Sequence, residues 1–203
     1  MRNVIATVAT IIVLSACSSA FKVQQADTRF SESKNQIYLS ENNRISTKSI
    51  AGGIHIDSSG VYLNPFVEKT PENGEIVLLG LNITNKTSYD TMFGAPNQLG
   101  VLEEVIFKLD GGDLITLPIL NHASQTSDTI AYNSITRSAS YAKWETGTVV
   151  MTPVQFGRIA SAKALSCKII GSKKSVIYEE SNVSPTFTQN LNNFFTTYVR
   201  GQD

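Results

Sequence analysis

The stretch 75–87, "EIVLLGLNITNKT", decides the fold. Read with a period of two, Val77, Leu79, Leu81 and Ile83 share one face; Ile76, Leu78, Gly80, Asn82 and Thr84 share the other. The first half is apolar on both faces and the second half alternates. The pattern predicts a central strand, covered on both sides at its start and half-buried afterwards.

Working outward, "EEVIFKLDGGDLITLPI" (103–119) reads as a hairpin. Gly111-Gly112 permits the positive φ values of a tight turn, and Val105, Phe107 and Leu109 line one face. "GGIHID" (52–57) is a short strand with Ile54 and Ile56 on one side. "GVYLNPFVEK" (60–69) contains Pro65, which predicts an edge, a bulge or two short strands. "TIAYNSI", "SASYAKWE" and "TGTVVM" are three further strand candidates. Residues 85–100, "NKTSYDTMFGAPNQLG", read as a long loop by their Gly, Pro, Asn and Ser content. Its Tyr89, Met92, Phe93 and Pro96 form a possible partner-binding loop; the competing expectation is that Met92 and Phe93 fold back into the core.

The period changes after Met151. Thr152 suits an N-cap and Pro153 the first helical position, with a short helix ending near Ala162. Strands over 163–170 and 175–180 flank the turn "GSKKS". Ser184 and Pro185 start a last helix, whose Phe187, Leu191, Phe194, Phe195 and Tyr198 lie on one face. Its threonines and asparagines are poor helix formers, so this helix needs packing to exist. The fold class expected is α+β, mainly antiparallel sheet with a short helix and an amphipathic C-terminal helix. The rival is an immunoglobulin-like β-sandwich with an appended helix.

The N-terminus carries a different kind of signal. Arg2 is followed by an apolar run, Val4 to Leu14, that spans roughly 16 Å as a helix, about half a bilayer core. That length suits the apolar region of a signal peptide. The run ends in Leu14-Ser15-Ala16-Cys17. This tetrad resembles the lipobox of bacterial lipoprotein precursors, and the resemblance covers residues 1–17 alone. It implies a signal peptide over 1–16 and lipidation of Cys17, which becomes the first residue of the mature chain. The chain would then be anchored to the lipid bilayer through acylated Cys17. Ser18, in place of an aspartate, resembles the signal that sorts enteric lipoproteins to the periplasmic face of the outer membrane. Residues 17–36, mostly polar and without a period, read as the lipidated N-terminus and a tether, with docking of Phe21, Val23 or Phe30 on the domain as the alternative. Residues 37–203 read as a single globular domain.

Composition narrows the function. The chain has 17 basic and 17 acidic side chains; removing Arg2 with the signal peptide leaves a mature charge of −1. No basic run is present, so nucleic acid is not an expected partner. Cys17 and Cys167 are the two cysteines. With Cys17 acylated, Cys167 has no intramolecular partner and reads as a small buried hydrophobe on the face of Leu165 and Ile169.

Candidate chemistry is sparse. His55 and Asp57 project together from the outer face of one strand, with Ser58 and Ser59 nearby, and a His–carboxylate pair suits a general base. Yet no nucleophile motif accompanies them. His122 falls in a polar loop without a partner evident in the sequence. Two histidines do not supply a zinc site, and Glu103, Glu104, Asp110 and Asp113 lack the calcium-loop pattern. The expectation is an envelope lipoprotein with a non-enzymatic binding or structural role, no cofactor, no metal, and an envelope protein or cell-wall partner. The alternatives are an accessory subunit of an envelope assembly or secretion machine, and a His-dependent hydrolase.

Overall fold

A computed structural model describes residues 20–29, 34–46, 59–91, 97–127 and 131–200. Eleven strands and two helices are built from them. The larger sheet contains β1 (Lys22–Gln25), β2 (Gln36–Glu41), β3 (Gly60–Lys69), β4 (Ile76–Asp90), β7 (Leu120–Thr126), β8 (Ala131–Asn133) and β9 (Ser138–Val150). Its order is β1-β2-β3-β4-β9-β7, with β8 also on β9. The smaller sheet holds β5 (Leu102–Leu109), β6 (Asp113–Pro118), β10 (Leu165–Gly171) and β11 (Ser175–Tyr178), ordered β11-β10-β5-β6. Every pairing is antiparallel. The α+β class is therefore the observed one.

The stretch 75–87 is central, between β3 and β9. Leu79, Leu81 and Ile83 are buried in the core, but Val77 is 52% and Leu78 36% exposed. The expected cover on both faces is missing at the strand's start for a topological reason. β9 runs out at Val150, opposite Gly80, so residues 76–78 have no partner strand on that side. Further along, Phe66 lies opposite Gly80, whose missing Cβ leaves room for that ring on the outer face.

Pro65 sits in an unbroken inner strand, neither at an edge nor at a break. Leu63 donates its N–H to Asn43 and Val61 accepts from Ile45, so odd-numbered groups of β3 point away from β4. The missing Pro65 donor falls on that same side, where β2 no longer pairs backbone to backbone and the Ser40 hydroxyl donates to the Pro65 carbonyl at 2.7 Å. Proline costs no ladder bond there.

The hairpin forms as expected. Leu109 pairs with Asp113, Gly111 and Gly112 have φ of 83° and 120°, and Val105, Phe107 and Leu109 are buried. "SASYAKWE" and "TGTVVM" prove to be one 13-residue strand, β9, and β4 continues to Asp90 through the first part of the expected 85–100 loop. Nor do residues 22–25 form a tether. They pair with β2 as the edge strand of the large sheet, and Val23 packs on the core.

Helix α1 (Pro153–Ser161) is closed by a Thr152–Gln155 capping box and ends at Ala162. Helix α2 (Pro185–Phe194) runs into a π-helical turn over Phe195–Val199. Ser184 occupies its N-cap position, but the side chain makes no cap bond; the backbone N–H instead donates to Ile45 at 2.8 Å. Phe187, Leu191 and Phe194 are each about 1% exposed and join both sheets in one core. The helix is thus part of the core, not an appendage to a closed sandwich. Gly157 lets α1 and the π turn approach: a Cβ there would stand 2.8 Å from the Phe195 ring. Among the described residues, no helix is long and apolar enough to cross a membrane.

Candidate functional site

The inward face of β4 turns polar after Ile83. Asn85 comes next on that face, and Glu145 of β9 is its cross-strand partner. Glu145 is fully buried and Asn85 nearly so. The carboxylate accepts from the Leu99 and Gly100 backbone amides at 2.8 and 2.7 Å and from Asn85 Nδ2 at 2.8 Å. Consecutive backbone N–H groups closing on one anion form a nest, and Gly100 supplies the required left-handed backbone with φ of 91°. Asn85 Nδ2 also donates to the Asn97 carbonyl at 3.0 Å. One buried Glu–Asn pair thereby holds the segment 97–100 against the large sheet.

The other side of that segment is clasped by the β10–β11 hairpin. Ser172 and Lys173 donate their backbone N–H groups to Val101 and Leu99, each at 2.9 Å. The Ser172 hydroxyl accepts from the Val101 N–H at 3.0 Å. Segment 97–101 thus bridges the two sheets. A cavity of about 260 Å³ opens beside it, lined by Val61, Asn85, Leu99, Lys174, Val176 and Ile177 among others. Three internal donors, two on Oε2 and one on Oε1, take up three of the roughly four acceptor sites of this carboxylate, so it is engaged chiefly in structure.

His122 is not in a loop. It lies in β7 at a bulge, where Asn121 has a φ of 53°, and its Nδ1 accepts from the Leu102 N–H at 3.0 Å. The ring acts as an acceptor that ties β7 to the start of β5. Nearby, Ile119 crosses over Gly147, where a Cβ would stand 2.3 Å from the isoleucine Cγ2. Asp110 accepts from the Ala164 N–H at 2.6 Å, and Asp113 pairs with Arg158 at 2.7 Å on the surface. Among the described residues no group of three or more His, Cys, Asp or Glu could hold a metal ion. Cys167 is buried in β10 opposite Tyr178, and burial pushes both acids up from their ordinary values.

Cys17, His55, Asp57, Met92, Phe93 and Pro96 lie outside the described residues. Tyr89 belongs to β4, where its backbone pairs with Tyr141. Sequence reading missed Glu145 altogether. Its one signal is parity: Glu145, Gly147 and Val149 alternate onto the same face, so an acid stands in register with the core.

Comparison with protein-family models, with curated proteins and with solved structures finds no match. The reading of the site therefore rests on its own residues.

Proposed function

We propose that this chain is a membrane-anchored envelope lipoprotein whose folded body has a non-enzymatic binding or structural role. The observation that carries this reading is the run from Arg2 to Cys17: a charged start, an apolar segment too short to span, small residues and a cysteine, in that order. Two or more acyl chains hold a protein stably at a bilayer, at about 0.8 kcal/mol per buried methylene. In this reading the lipid sets location, on the periplasmic face of the outer membrane, and the two-sheet body meets an envelope protein or the cell wall. Support for a binding role comes from two polar groups, buried Glu145 and half-buried His122. Both are engaged with backbone donors, which makes them fold-holding rather than reactive.

The test is metabolic labelling with an alkyne fatty acid. Wild-type protein takes the label and fractionates with membranes; Cys17→Ser takes none and leaves the membrane fraction. Label retained on Cys17→Ser refutes the anchor.

A further inference from the structure

We propose that the free edge of β11, with the cavity beside it, docks an extended acidic peptide segment by strand addition. This rests on the binding role argued above and is independent of the lipid anchor. Among the described residues β11 is the outermost strand of the small sheet and pairs with β10 alone. The hairpin closes with Gly171 donating to the Lys174 carbonyl at 3.0 Å. Counting alternately from that bonded pair, Val176 and Tyr178 exchange bonds with β10, while the backbone groups of Ser175 and Ile177 point to the open side. Among the described residues no backbone group bonds to them there. Edge strands with open groups are the basis of peptide recognition by strand addition, in which main-chain bonds give affinity and a pocket for alternate side chains gives specificity.

The pocket is present. The cavity of about 260 Å³ adjoins this edge, and its apolar walls are Val61, Leu99 and Val176. It also contains a polar group with capacity to spare. Asn85 is about 4% exposed and donates through Nδ2 to Glu145 and Asn97, and its Oδ1 accepts from none of the described residues. An inward side chain of an added strand, in line with Val176, enters this space.

Charge selects the peptide. Lys173 and Lys174 stand at the hairpin end of the edge, and Lys168 is the cross-strand neighbour of exposed Ile177. Lysines on an edge repel pairing with a second copy of the same edge. The same cations attract a strand bearing carboxylates at that end. Glu179 and Glu180 follow the far end of β11, so the acidic residues of the peptide belong beside the lysines and neutral ones beyond.

The experiment titrates full-length protein in detergent micelles with labelled, acetylated and amidated heptapeptides by fluorescence anisotropy. Leucine occupies alternate positions; glutamate fills the others at one end and threonine at the opposite end, in both chain directions. Controls replace glutamate by lysine, or N-methylate the amides that would face β11. The expected result is saturable binding of one acidic peptide, weakened about tenfold or more by the lysine replacement, by N-methylation and by Ile177→Pro. That proline removes an open-edge donor without a bond to β10. If Ile177→Pro does not fold, the N-methylated peptide decides alone. No saturable binding up to millimolar peptide, equal binding of acidic and basic forms, or indifference to N-methylation overturns the proposal. Acyl labelling of Cys17 is read separately, so failure here leaves the anchor untouched.

Discussion

Glu145 Oε2 and Asn85 Nδ2 meet at 2.8 Å across β9 and β4, inside the protein, and both also bond to the backbone of 97–100. This pair closes a polar gap between the two sheets, which are also joined by the shared apolar core and by the His122–Leu102 bond. Glu145→Ala leaves two backbone donors and one of the two Asn85 Nδ2 bonds without an acceptor in the interior, and a loss of about 3–5 kcal/mol is expected. Glu145→Gln retains one acceptor and loses less. Urea unfolding of both variants measures the difference. A loss under about 1 kcal/mol for the alanine variant would show that water replaces the carboxylate. The double variant with Asn85→Ala is expected to lose far less than the sum of the two single losses.

At Gly157, helix propensity and packing oppose each other. Alanine gains up to about 1 kcal/mol of propensity in the helix. Its Cβ meets the Phe195 ring at 2.8 Å, in a core where overpacking costs about 1–3 kcal/mol. Gly157→Ala should therefore lower the melting temperature. The variant Gly157→Ala with Phe195→Leu should recover part of the loss, and failure to do so would place the strain elsewhere.

Deletion of residues from Ser184 onward removes Phe187, Leu191 and Phe194 from the core. Each contributes roughly 1.5–3 kcal/mol by burial, against a total stability of about 5–15 kcal/mol. The shortened chain is expected to be unfolded or aggregated. A cooperative thermal transition from it would assign the helix a peripheral role.

Cys167 gives a pH dependence of known sign. Burial raises its pKa above that of an unfolded cysteine, about 8.5. Its contribution is fully present below that value and is lost as pH rises above it, because the unfolded chain then releases a proton that the folded chain keeps. Tyr178 acts in the same direction at higher pH. Stability from pH 7 to 10 should fall less steeply in Cys167→Ala than in wild type. In the native protein the thiol should resist iodoacetamide, and rapid labelling without denaturant would contradict its burial.

Elements governed by local rules were legible in the sequence. The Gly111-Gly112 hairpin, the Thr152–Pro153 helix start and the Phe187–Leu191–Phe194 face each follow from spacing and turn chemistry. What escaped depends on partners distant in sequence. Pro65 is tolerated because its missing N–H falls where β2 no longer pairs with β3, and β1 exists because β2 offers an edge. Asn85 and Glu145 are sixty residues apart. Each looks like an ordinary surface residue until the β4–β9 register places it inward. His122 likewise acquires its role from Leu102, which only the crossing at Ile119 brings near.

The pairing of β1 with β2 also fixes an altitude. Only residues 18–21 separate Cys17 from the first residue of β1. Five peptide steps reach at most about 17 Å. An acylated Cys17 would therefore moor the large sheet by its outer strand within one small-domain radius of the lipid headgroups. On so short a mooring the body could not search far from the bilayer, and a partner would have to come to the membrane surface to meet it.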